Sequence, residues 1–290
     1  MSSPNFFNYV VTAFPPSCVY HTITGSFTDN ADEINLVVAY GTRIVLYRLG
    51  NDGLESIADV PIYGRIASLH TITLPDDQGR DSILFLTERY HVCIVSWDSK
   101  TSQFATRSSK NVSSRIGRPA EDGPRCIIDP EMRCIGMHLY DGAFKIIPLS
   151  SDKGLPLQEF NVQLDELGVI DVQFLYKTNL PTICVLYRDE KDMRHVRTYE
   201  VKMNEKNIQE GRFMNIPSMD PHTSTLIPVP KGGVLMFCDK TILYQSPTGG
   251  KLIVVFCSGT STCFYRMAVL LLYQRTRTPG VFCLSIFCKC

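Results

Sequence analysis

Residues 133–149 read RCIGMHLYDGAFKIIPL. Two apolar runs flank Asp141-Gly142, a pair whose residues both take positive φ at low cost, so the stretch predicts a tight β-hairpin. The same form recurs along the chain. INLVVAY-GT-RIVLYRL turns at Gly41, SILFLTE-RY-HVCIVSW at Arg89, TICVLYR-DEKDM-RHVRTYEV at Glu190 and GGVLMFC-DK-TILYQS at Asp239. Successive turns lie 48, 52, 49 and 49 residues apart. A further strand precedes each hairpin, at 23–27, 65–72, 125–129, 169–175 and 224–229. Another follows the first four, at 54–60, 102–108, 157–164 and 208–216. Four strands per unit of about fifty residues is the pattern of β-propeller blades. A β-sandwich ranks second, because it lacks that period.

Composition agrees. The chain has 290 residues, 44% hydrophobic and 20% charged, which excludes disorder as its dominant state. Five blades account for 23–256, whereas a seven-bladed ring needs about 350 residues. The expected fold is therefore all-β, a partial propeller of about five blades, part of a seven-bladed ring. An unclosed ring leaves sheet flanks exposed.

The net charge of zero is a sum of unlike parts. Residues 240–290 carry six of the 29 basic groups and none of the 29 acids, so a −6 segment is offset by a +6 one. Five of the 11 cysteines also crowd into that end. The earlier six sit mostly in apolar runs, where cysteine acts as a small core residue. With an odd count and no CxxC, neither a zinc site nor a disulfide framework is expected. The N-terminus has no signal-peptide pattern, and the expectation is an intracellular, reduced protein.

Several segments resemble a known family. They are YVVTA (9–13), YGRIASL (63–69), RIGRP (115–119), IIDPEMRCIGMHLYDGAFKIIPL (127–149), LGVIDVQFLY (167–176) and PTICVLYRDEKDMRHVRTYEV (181–201). Together they are similar to the first propeller of the family of DNA damage-binding, cleavage–polyadenylation and splicing scaffolds. RIGRP and LYDG-FK-IPL favour the damage-binding branch. The resemblance implies a much longer chain, with three seven-bladed propellers and a helical C-terminal part. It implies an adaptor of a cullin 4 RING ubiquitin ligase that grips substrate receptors and recognises ultraviolet-damaged DNA together with a receptor. This chain covers part of the first propeller, so contact with the cullin is not expected from it alone. The two domains expected are residues 1–256, the propeller blades, and 257–290, a divergent tail where the resemblance has faded.

The tail predicts no membrane anchor. Arg266 interrupts its apolar runs, and a spanning helix needs about 20 apolar residues. Residues 99–120 hold Lys100, Arg107, Lys110, Arg115 and Arg118 with no acid. That suits a solvated loop or an acidic partner, but no aromatic residues interleave the charges as single-stranded nucleic acid binding requires. Trp97-Asp98 and Gly232-Gly233 each resemble a per-blade signature but occur once. No GxSxG, HExxH, GxGxxG or P-loop occurs, so no enzyme, cofactor or metal is expected. The expected function is protein–protein scaffolding through blade-face loops, with Arg115, Arg118, Tyr140 and Asp141 as partner-binding residues. Damaged DNA is met only through a partner, and the expected location is nucleus and cytoplasm. The alternatives are an RNA-processing scaffold or a non-functional truncated gene product.

Overall fold

The computed structural model describes residues 14, 17–30, 33–74, 79–114, 117–149, 159–239, 241–247 and 251–255. The tail at 257–290 lies outside them, as do YVVTA at 9–13 and Arg115. Among the described residues there is no helix; the regular structure is twenty strands in five antiparallel sheets of four. Blade 1 is β1 (His21–Gly25), β2 (Asn35–Ala39), β3 (Arg43–Gly50) and β4 (Gly53–Pro61). Blade 2 is β5 (Ile66–Thr73), β6 (Asp81–Thr87), β7 (His91–Asp98) and β8 (Gln103–Asn111). Blade 3 is β9 (Arg125–Ile128), β10 (Cys134–Tyr140), β11 (Ala143–Pro148) and β12 (Phe160–Gln163). Blade 4 is β13 (Gly168–Phe174), β14 (Thr182–Arg188), β15 (Arg194–Lys202) and β16 (Asn207–Met219). Blade 5 is β17 (Thr225–Pro228), β18 (Val234–Phe237), β19 (Thr241–Gln245) and β20 (Lys251–Val255).

Each blade pairs its strands in chain order, and the first strands of successive blades touch in turn, β1 with β5, β5 with β9, β9 with β13, β13 with β17. This is a partial β-propeller of five blades. Two elements depart from the sequence-based expectation. β16 extends to 13 residues, past the expected end at 216, and its pairing with β15 shifts register twice. β20 was not named as a strand, although 23–256 was assigned to the five blades: KLIVV pairs Lys251–Val255 with Thr241–Gln245 and completes blade 5.

The core lies between blades. Ile44 and Leu46 meet Ile83 and Phe85 between blades 1 and 2. Leu84 and Ile94 meet Ile135 and Met137 between blades 2 and 3. Phe144 and Ile146 meet Phe174 and Val185 between blades 3 and 4. Leu186 and Val196 meet Leu226 and Met236 between blades 4 and 5. Side chains alternate across a strand, so one central strand serves two cores. In β10 every residue is buried: Ile135, Met137 and Leu139 face blade 2, while Cys134 packs toward blade 4. This is why the run at 134–140 is nearly all apolar rather than alternating. Burying each such Ile, Leu or Phe contributes roughly 1.5–3 kcal/mol. Gly136 is required there, because a Cβ would stand 2.5 Å from Cζ of Phe144. At the turn only Gly142 takes positive φ, at 72°; Asp141 does not. Asp141 is instead held by its N–H, donated to the Arg118 carbonyl at 2.9 Å.

Polar bonds tie the blades further. The Asp129 carboxylate, fully buried, accepts from Nε and Nη2 of Arg133 at 2.6 and 2.9 Å. Nη1 of Arg133 then donates to the carbonyls of Thr178 and Asn179 in the next blade, at 2.9 and 3.1 Å. Asp171 of β13 accepts from Arg125 of β9 and from the Leu226 N–H of β17, linking three blades.

Candidate functional site

Antiparallel pairing in chain order brings three features to one end of each blade: the start of its first strand, the turn between its second and third, and the end of its fourth. The crossings between blades join the same ends, so turns and crossings together form one face of the propeller. Hydrogen bonds stitch them: Ile66 N–H to the Gly41 carbonyl, Glu88 N–H to Arg65, Val112 N–H to Tyr90, Leu164 N–H to Gly142, at 2.8–3.1 Å. Blade-face loops are built here from polar turn residues on an apolar frame, the usual setting for binding residues.

Arg118, Tyr140 and Asp141 meet where the crossing from blade 2 to blade 3 runs over the β10–β11 turn. The Tyr140 ring is buried, and a Cβ on Gly117 would come within 2.7 Å of it, so the crossing lies flat on the ring. Its hydroxyl accepts from the Ser114 N–H at 2.9 Å and donates to the Ser114 carbonyl at 3.0 Å. Pro119 bridges to Tyr140, and the Tyr90 ring packs at 5.3 Å. Tyr140 therefore positions the crossing; it offers no free hydroxyl to a partner. Arg118 does face outward, 75% exposed, with Nε 3.4 Å from Oδ2 of the largely buried Asp141. Asp141 Oδ1 is buried with no hydrogen-bond partner among the described residues. The arrangement is an outward guanidinium tethered at its base, able to pair with a carboxylate or phosphate on another surface.

Beside it, Glu121 of the same crossing pairs with Arg188 of blade 4 at 2.6 Å, and the Arg188 guanidinium holds the Glu121 carboxyl below the usual range. The blade-4 turn is organised by Asp189, which accepts the N–H groups of Lys191 and Met193, each at 2.9 Å, and pairs with Nε2 of His195 at 3.0 Å. The His195 bond lowers the Asp189 pKa most.

The described basic residues of 99–120 do not gather into one patch. Lys100 lies at the β7–β8 turn, on the opposite face from Arg118, and Arg107 and Lys110 lie on the outer strand β8 between them. Lys110 is already paired with Glu159 at 2.7 Å. A run of charges in sequence is spread here along a strand and over two faces.

One network was missing from the sequence reading. Glu166, its side chain buried, accepts from Arg197 Nη1 at 3.1 Å and from the Tyr199 hydroxyl at 2.5 Å. Burial pushes the Tyr199 pKa up, and the Glu166 bond adds to it. Arg197 also lies over the Tyr187 ring at 5.6 Å, and His195 stacks on the same ring at 5.2 Å. The available signal was His195, Arg197 and Tyr199 at every second position of β15, hence on one face. Of the six cysteines described, Cys126, Cys134 and Cys184 are buried free thiols, and burial pushes the Cys126 thiol up to about 12.

Four-stranded blades in series, joined by apolar cores and presenting one face of turns and crossings, define a propeller scaffold. Residues 18–260 match the family described as "RSE1/DDB1/CPSF1 first beta-propeller", and the chain belongs to that family. It is 46% identical over 250 residues to DNA damage-binding protein 1b of Arabidopsis thaliana, covering 86% of this chain and 23% of that one. The same identity and coverage relate it to DNA damage-binding protein 1 of Solanum lycopersicum. DNA damage-binding protein 1 of Oryza sativa subsp. japonica is 46% identical over 239 residues, 82% of this chain and 22% of that one. The chain thus spans less than a quarter of the length of these curated relatives.

Proposed function

We propose that the chain serves as the amino-terminal part of a cullin 4 RING ubiquitin-ligase adaptor, holding substrate receptors rather than catalysing a reaction. The observation that carries this is the 46% identity, over 239 to 250 residues, to DNA damage-binding proteins 1 and 1b of three plants. Receptor contact falls on the face of turns and crossings. Arg118 supplies the charged contact there, with Arg115, three positions earlier in the sequence, as a second basic residue for it. Tyr140 and Asp141 position that contact from beneath. Damaged DNA is reached through a receptor, and the protein works in nucleus and cytoplasm, with no membrane contact and no cofactor.

The RNA-processing reading is kept by one observation: the family description names RSE1 and CPSF1 beside DDB1. Purification of tagged full-length chain from cells separates the readings. The adaptor reading expects receptor subunits without the cullin, and a several-fold loss of receptor with Arg118→Glu. Recovery of cleavage or splicing factors in their place would establish the alternative. Recovery of neither set, with rapid turnover, would mark a non-functional truncated product.

A further inference from the structure

Blades of a propeller diverge outward from the axis, so each pair encloses a wedge. The wedge between blades 2 and 3 is crossed by Lys110 and Lys145 meeting at Glu159, at 2.7 and 3.4 Å. That between blades 3 and 4 is crossed by the Arg197–Glu166–Tyr199 network. The wedge between blades 1 and 2 is tied by Arg80 on Asp29, at 2.9 Å, only at the end away from the β6–β7 turn. It holds a partly open cavity of about 460 Å³. Its walls are mainly apolar, from Val60 and Ile62 of blade 1 and its exit to Phe85, Val95 and Phe104 of blade 2, with Thr87, Thr106 and Ser109 among them. Tyr63 stands at the mouth, fully exposed.

Among the described residues, the one permanent charge that lines this cavity is a cation. Arg89 and His91 line it and no carboxylate does, although residues 1–239 as a whole carry excess acid. Arg89 is exposed and makes no ion pair or hydrogen bond among the described residues. An apolar slot large enough for a bulky side chain, an exposed tyrosine and an unengaged arginine are the composition of an interface hot spot.

We propose that this wedge is a docking site for a short segment of a partner protein, which inserts an apolar side chain between blades 1 and 2 and sets an adjacent carboxylate on Arg89. The proposal rests on the scaffold reading above and adds to it a second contact area, separate from Arg118. The chain's own residues 256–290 do not suit the site, because they contain no acid.

The test pans a phage-displayed library of random dodecapeptides against the full chain, with counter-selection against Thr106→Trp, which fills the slot from the exposed strand β8. Enriched peptides are expected to share a bulky apolar residue beside Asp or Glu. A synthetic copy should lose at least tenfold in affinity with Thr106→Trp and with Arg89→Glu, keep most of it with Arg89→Lys, and weaken as salt rises. It should also slow maleimide modification of Cys93, which lines the wedge and is half-buried. Unchanged melting temperatures of the variants exclude misfolding. The proposal is overturned by absence of enrichment, by enriched peptides without acid, or by binding indifferent to both substitutions. It is equally overturned if Cys93 is already shielded in peptide-free protein, which would place the tail or a second copy in the wedge. If selection fails while receptors still co-purify with Arg89→Glu, the scaffold reading stands and the wedge alone falls.

Discussion

His138 shows how much one buried side chain can impose on the whole. It sits in the all-buried strand β10, opposite Arg125, with Nε2 lacking a hydrogen-bond partner among the described residues. Burial first, and the Arg125 charge second, push its pKa down to about 4 from 6.5. The unfolded chain therefore binds the proton more readily than the native one. Stability is complete above pH 6.5 and falls as pH drops toward 4, by about 3 kcal/mol from this group. His70, pushed down to about 4 chiefly by burial, acts in the same direction. Urea titrations from pH 7 to pH 4 should show this fall, and His138→Gln should remove roughly half of the slope. A variant with the wild-type slope would show that His138 titrates normally. As for the sites, Arg118 was legible because a basic residue in a crossing between strands is exposed by default. Tyr140 was legible as a turn residue but not as a buried clamp, since its partner Ser114 is 26 positions away.

At the scale of elements, the turn Asp129–Arg133 is a connector as well as a reversal. The Asp129 carboxylate has two donors from one guanidinium and is fully buried, so Arg133 is the side chain that pairs with it. Removing one partner of such a pair leaves an uncompensated buried charge and costs about 3–5 kcal/mol. Arg133→Ala should lose stability on that order by denaturant melts. Asp129→Asn with Arg133→Ala together should recover part of it, because the stranded charge is gone. A double variant no better than the single would show that the bonds to Thr178 and Asn179 carry the effect. The hairpins were readable because each lies within twenty or so residues and repeats at a fixed interval. β20 was not singled out within the expected span, because its apolar run KLIVV is followed by further apolar runs.

Over the whole molecule, burial is uneven. β10 and most of β14 are buried throughout, whereas β19 is half-buried over four of its five residues. Blade 5 has a blade neighbour in the shared core with blade 4, through Leu226, Val234 and Met236. Local opening costs least where few apolar contacts must break. Amide exchange in Ile242–Tyr244 should therefore exceed that in Ile135–Met137 and Ile183–Val185 by at least about a hundredfold. Equal protection would mean that the five blades open as a single cooperative unit.

The sequence by itself determined the blades. Pairing between strands adjacent in the chain needs only short turns and apolar runs, and both repeat near every fifty residues. It also determined which strands are central, since a strand between two cores is apolar on both faces. What only the tertiary structure decided was what meets across blades. Lys110 and Glu159 are 49 positions apart, and Arg197 and Glu166 are 31 apart. Neither separation belongs to a local motif. The ring sets these meetings, because side-by-side stacking of blades converts a separation in the chain into a contact in space. The same geometry dispersed the basic run of 99–120 and left the wedge between blades 1 and 2 open.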